Sequence, residues 1–347
     1  MQIYLRRIPL IACLIAAMGC YPYIGIPEEV MFVGNGGTEL RGTLVFPEDV
    51  RRPVPAVVLL HGSEKSTRSF AKRLSANMFV ERGFAVLLFD KRGAGESGGD
   101  YESTTYAQLI EDALEAVAFV RRRQDVNPHI IGLIGVSQSG WLTPEIAERS
   151  GDIAFIINKS GPSLSVVQTI AWERYNDMMA DGVSEPSARG QAGVLRQLWA
   201  HRISPTIETR IAIVETLAVW AGREESTLPV TLRQVSARYM QMISYDPAPY
   251  LDRITVPTLY IYGSEDINVP VKPSVKRIVE LAAAGKPITY YVFDGEGHEL
   301  GGVHLFPPRY SSVEGYAKLV GDFAVKHGQQ KSAATGPENG SENLHEF

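Results

Sequence analysis

Beyond residue 20 the sequence contains no cysteine; its two, Cys13 and Cys20, both lie at the extreme N-terminus. The rest of the chain therefore has no disulfide, no thiolate nucleophile and no cysteine-based metal site. Its body also lacks a long uncharged apolar run, which excludes a chain that crosses a membrane many times. No basic run occurs there either, and a net charge of −5 with a pI near 5.9 carries no footprint of a nucleic-acid partner. No group of residues has metal-ligand spacing, so neither a metal nor an organic cofactor is expected. Apolar material is plentiful: 45% of the 347 residues are hydrophobic, enough for one large α/β domain with an insertion.

Residues 1–20 stand apart from the rest. Arg6-Arg7 precede an apolar segment from Ile8 to Met18, and Gly19-Cys20 follow. A basic start, a short apolar run and a small residue at the end describe an export signal that is too short to span a bilayer. The tetrad Ala17-Met18-Gly19-Cys20 resembles a bacterial lipobox, which implies lipidation of Cys20 and attachment to a membrane of the cell envelope. It departs from the usual pattern at Ala17, where leucine is more typical. Leu10-Ile11-Ala12-Cys13 is a better-formed tetrad, but only Ile8 to Ala12 would serve as its apolar run. Lipidation at Cys20 is the expectation, with plain secretion as the alternative.

From Tyr21 the chain alternates between apolar strands and amphipathic helices. Gly34-Asn35-Gly36-Gly37 between Met31–Val33 and Glu39–Phe46 predicts a hairpin. Ala56–Leu60, Phe84–Phe89, Ile130–Val136 and Ile153–Ile157 are apolar throughout, as strands covered on both faces are. Between them Phe70–Glu81 and Tyr106–Arg123 suit helices, the second with Ile110, Leu114, Val117 and Val120 on one face. The alternation breaks after residue 162. Residues 163–250 hold no good strand, are rich in helix formers and include Trp172, Trp199 and Trp220. That segment reads as a helical insertion, closed by Asp246-Pro247-Ala248-Pro249. The core resumes over 251–327 with strands at Thr258–Gly263 and Ile288–Phe293 and a final helix over Val313–Lys326. Residues 328–347 are polar and predict a disordered tail. The expected fold is α/β: a mostly parallel sheet with helices on both faces, its first part spanning 21–162.

The chemistry gathers at predicted strand ends, where such sheets carry their working residues. Ile130–Val136 runs into Ser137-Gln138-Ser139-Gly140 and then a helix, so Ser137 sits at the apex of a strand–turn–helix. Backbone N–H groups at a helix N-terminus have no partner within the helix and favour negative charge. A general base is expected at His298, on the glycine-rich loop Asp294-Gly295-Glu296-Gly297-His298, with His304 as its competitor. An acid is expected at Asp266, after the preceding strand, with the adjacent Glu265 able to replace it. Such an acid would hold the imidazole in one tautomer and stabilise the imidazolium.

In these residues the chain resembles the α/β-hydrolases over about Met31 to Lys326. The order Ser137, Asp266, His298 matches the family's nucleophile–acid–base order, with an insertion where the family carries its cap. Asp90-Lys91-Arg92-Gly93-Ala94-Gly95-Glu96-Ser97 resembles the family's Asp-x-Arg-Gly-x-Gly-x-Ser loop, and His61-Gly62 its oxyanion-loop motif. The elbow usually reads Gly-x-Ser-x-Gly; here Ser139 stands at the fifth position, followed by Gly140. The resemblance implies acyl transfer on Ser137, with His298 as base, Asp266 as its partner, and an oxyanion held by the backbone N–H groups of Ser63 and Gln138. It assigns His61 a structural hydrogen bond, and Asp90 and Arg92 a loop-stabilising role. The substrates it implies are small carboxylic esters or, with the same residues, short peptides and amides, in the manner of the serine aminopeptidase and dienelactone-hydrolase-like groups. A third reading is a surface lipoprotein that uses the fold only for binding.

Overall fold

The computed structural model of the protein describes residues 22–68, 70–203, 242, 245–305 and 308–334. Residues 1–20 with Cys13 and Cys20, Trp220 and residues 335–347 lie outside the described residues. In chain order the elements are β1 (Ile26–Val33), β2 (Glu39–Phe46), β3 (Val54–Leu59), α1 (Phe70–Val80), β4 (Ala85–Phe89), α2 (Tyr106–Arg121), β5 (Val126–Val136), α3 (Ser139–Ser150) and β6 (Phe155–Lys159). There follow α4 (Val166–Ala180), α5 (Glu185–Ile203), α6 (Ala248–Leu251), β7 (Thr258–Gly263), α7 (Val271–Ala283), β8 (Ile288–Phe293), β9 (Gly301–Leu305), β10 (Pro308–Ser312) and α8 (Tyr316–Ala334).

The main sheet has eight strands in the order β1-β2-β4-β3-β5-β6-β7-β8. The hairpin β1–β2 and the pair β2–β4 are antiparallel, and every pairing from β4 to β8 is parallel. Side chains alternate across a strand, so an apolar run feeds two cores at once. Ile131 and Leu133 of β5 join Val58, Leu87 and Tyr260 on one face, beneath α2, α3 and α7. Ile130 and Ile134 join Val57, Leu88 and Leu259 on the other, beneath α1 and α8. This is the physical reason the central strands lack a polar side: neither face meets water.

Local details differ from the expectation. On α2 the packed face runs through Ile110, Ala113, Ala116, Val117 and Val120, with Leu114 only partly buried at its margin. Thr105 caps that helix, accepting from the Gln108 N–H while Gln108 Oε1 accepts from the Thr105 N–H. β5 begins at Val126, so Asn127-Pro128 lies within the strand, where its pairing with β3 shifts register. A second, two-stranded sheet, β9–β10, follows the last main strand. α8 continues to Ala334, past Gly328, so the start of the expected disordered tail is helical.

Candidate active site

β5 delivers Ser137 directly to α3, and Ser137 has φ +50. A non-glycine residue held there costs of order 1–3 kcal/mol, and such strain is concentrated at functional sites. The turn closes because its neighbours are small. A Cβ on Gly135 would stand 2.5 Å from Asn158 Oδ1, and one on Gly140 would stand 2.3 Å from the Gly161 Cα. Gly140 thus lets α3 approach the exit of β6, although it sits one residue later than the motif's usual glycine. Ser139, at that usual position, is buried and donates its hydroxyl to the His61 carbonyl.

Asp266 and His298 come from the loops after β7 and β8. Asp266 Oδ2 accepts from His298 Nδ1 at 2.8 Å. Its other oxygen accepts from the Asn268 and Val269 N–H groups at 2.8 and 3.0 Å, so the carboxylate is fixed before it meets the imidazole. The Asp266 side chain is fully buried while the His298 side chain retains 16% exposure, so the imidazole is oriented yet keeps access to solvent. Glu265 is exposed and takes part through its backbone N–H, which donates to the Glu296 carbonyl at 2.9 Å. His304 lies on β9, paired with Arg309 of β10, in the separate hairpin.

The exit of β6 ties the Ser137 and His298 loops together. The Ser137 N–H donates to the Lys159 carbonyl at 2.9 Å, and the next residue, Ser160, donates its hydroxyl to the His298 carbonyl at 2.6 Å. Lys159 Nζ reaches Glu299 at 3.3 Å. Burial acts to raise the Glu299 carboxyl, but the Lys159 ammonium outweighs it and holds the group below the usual carboxylate range. Nothing in the sequence pattern marked Ser160, because a serine after a strand is unremarkable without its partner.

The loop after β3 flanks Ser137: a methyl group on Gly62 would stand 3.7 Å from Ser137 Cβ. Among the described residues, neither the Ser63 nor the Gln138 N–H donates to a protein acceptor. His61 is buried, and its Nε2 donates to the Phe89 carbonyl. Burial, with Lys72 and Lys91 nearby, pushes its pKa down to about 3, so the ring is neutral and structural. Asp90 and Arg92 brace this region through separate partners. Asp90 accepts from the backbone and guanidinium of Arg68 and from the Glu96 N–H. Arg92 forks onto Asp112, with Nε to Oδ2 at 2.8 Å.

α4 lies across the loop after β7, where Asn176 Nδ2 donates to the Ile267 carbonyl at 2.8 Å. Glu173, one turn earlier, has its carboxyl pushed up by burial and then by Asp177, in the field of His298 and Asp266. α4 therefore brings an ionisable group to the border of the site.

A family profile described as X-Pro dipeptidyl-peptidase (S15 family) matches residues 36–298. Esterase EstD of Thermotoga maritima is 29% identical over 289 residues, 78% of this chain and 60% of that relative's length. The esterase Pf2001 of Pyrococcus furiosus superposes with a TM-score of 0.56 at 19% identity, covering 87% of this chain and 91% of that one. The alpha/beta hydrolase GrgF from Penicillium gives 0.56 at 18% identity, covering 88% and 99%. At such identities the likeness speaks for the fold, which is that of an α/β-hydrolase.

Proposed function

This chain belongs to the X-Pro dipeptidyl-peptidase (S15) family, and from that premise we propose that it is a serine hydrolase cleaving small carboxylic esters. The observation that carries the reading is the buried Asp266 bonded at 2.8 Å to His298, on strand exits tied through Lys159 and Ser160 to a serine held at φ +50. Because Nδ1–H is directed at Asp266, Nε2 carries the lone pair that accepts a proton. Ser137 Oγ bonds to the ester carbonyl carbon as His298 takes the hydroxyl proton, and the carbonyl electron pair moves onto oxygen. The Ser63 and Gln138 N–H groups hold that oxyanion; each such donor is typically worth about 3 kcal/mol. The C–O bond then breaks, the alcohol leaves with the proton from His298, and water repeats the sequence on the acyl-enzyme. Hydrolysis of 4-nitrophenyl butyrate is expected and should be abolished in Ser137→Ala; full activity in that variant would sink the assignment.

A peptidase or amidase using the same residues is the second reading, favoured by the profile that matches 36–298. Faster turnover of aminoacyl- or prolyl-amides than of esters by the purified protein would select it. At the N-terminus we propose export with lipidation of Cys20, supported by the basic, apolar and small-residue order of residues 1–20. Cys20→Ala should then move the protein from the membrane to the soluble fraction, and unchanged partition would count against the anchor.

A further inference from the structure

The second residue of the loop after β4, Lys91, is buried at 4% exposure. Its ammonium donates to the Gly62 carbonyl at 2.7 Å, to Gln138 Oε1 at 2.8 Å and more weakly to the Glu64 carbonyl at 3.4 Å. Gly62 and Gln138 belong to the two loops that would supply the oxyanion donors. From this juxtaposition we propose that Lys91 is a positioning residue that sets and polarises both halves of the oxyanion site. The inference rests on the serine-hydrolase reading above.

The peptide between Gly62 and Ser63 carries the Gly62 carbonyl at one end and the Ser63 N–H at the other. A trans peptide is planar and points these groups in opposite directions. An ammonium fixed on the carbonyl therefore directs the Ser63 N–H away from Lys91. Donation to a carbonyl also draws electron density from its amide, making the N–H a stronger donor, as chains of hydrogen bonds do in a low-dielectric interior. The neighbouring peptides are held as well. Ser139 donates to the His61 carbonyl, and the Tyr101 hydroxyl donates to the Ser63 carbonyl, with its ring 5.5 Å from Lys91 Nζ. On the other loop, Gln138 is pinned between Lys91 and the Tyr106 hydroxyl at 3.4 Å. One fixed positive charge thus joins both donor loops without reorganising when negative charge develops, which is the condition for strong electrostatic stabilisation.

The test compares the full chain with Lys91→Met, which keeps the unbranched side chain out to Cε and removes the ammonium. Rates are taken per active site titrated with a fluorophosphonate, so that misfolded protein does not enter. The expected result is a fall in kcat for 4-nitrophenyl butyrate of about 10- to 100-fold, below the loss of a whole donor, with KM within about twofold. A trifluoromethyl ketone, which forms a tetrahedral oxyanion on Ser137, should lose affinity by the same factor, while the product carboxylate should not. Wild-type kcat per titrated site would overturn the proposal, as would equal losses for ketone and carboxylate. Should Lys91→Met not fold, Lys91→Cys is made with Cys13 and Cys20 replaced by serine, then alkylated to an aminoethyl or a propyl thioether. Restoration of kcat by the aminoethyl group alone supports the role, and equal rates for the two adducts overturn it. A wild-type chain that hydrolyses neither esters nor amides would remove the underlying reading instead, a different outcome from active enzyme indifferent to Lys91.

Discussion

Two serines separated by one residue have opposite circumstances. Ser137 is strained and only partly buried, whereas Ser139 is buried with its hydroxyl committed to the His61 carbonyl. Ser139→Ala leaves that carbonyl short of a donor, which costs about 1 kcal/mol when a buried polar group is left unmade. The expected outcome is a lower melting temperature with fluorophosphonate labelling at Ser137 retained. Loss of labelling in Ser139→Ala, with Ser137→Ala still labelled, would exchange their roles. Sequence reasoning could rank the two by motif position, but the partner that engages Ser139 lies 78 residues away in the chain.

Among the elements, β7 shows how tightly the strand exits fit. Its last residue, Gly263, has no room for a side chain: a Cβ would stand 2.2 Å from the Glu296 carbonyl oxygen and 2.5 Å from that of Gly297. The loop bearing His298 is laid directly on that glycine. Gly263→Ala must displace the loop, and misplacing a catalytic group by about 1 Å can cost about 100-fold in rate. We expect kcat to fall by that order while circular dichroism remains that of a folded protein; unchanged kcat would show that the loop position is not set there. The hairpin β9–β10 was hidden because Gly301-Gly302 and Pro307-Pro308 read as loop signals, and pairing between the two short strands compensates for their composition.

Across the whole molecule, one buried ion pair joins regions distant in sequence. Arg92, after β4, forks onto Asp112 of α2, with side chains 6% and 3% exposed. Asp112 also accepts from the Asn35 N–H at 2.9 Å, and Arg92 donates to the Asn35 carbonyl at 2.8 Å, reaching the β1–β2 turn. Asp112→Asn leaves a buried guanidinium without its counter-charge, and breaking such a pair from one side costs about 3–5 kcal/mol. An unfolding free energy from urea titration lowered by that amount is expected, and an unchanged value would show the pair to be dispensable. Arg68 plays a parallel part for Asp90. Burial alone would raise the Asp90 carboxyl, but the Glu96 N–H and the Arg68 guanidinium hold it below the usual range.

The sequence by itself determined the layered α/β architecture, because strands apolar on both sides can only lie between two layers of helices. It also determined the strand exits that carry Ser137, Asp266 and His298, since glycine-rich turns after buried strands leave few other places for such side chains. Tertiary structure alone decided which of two neighbouring carboxylates, Asp266 or Glu265, meets the imidazole, because one residue's difference reverses which way a loop side chain faces. It also decided what Lys91, Ser160 and Ser139 do. Each acts on a backbone carbonyl far away in the chain, and a carbonyl, present at every residue, leaves no mark in the sequence.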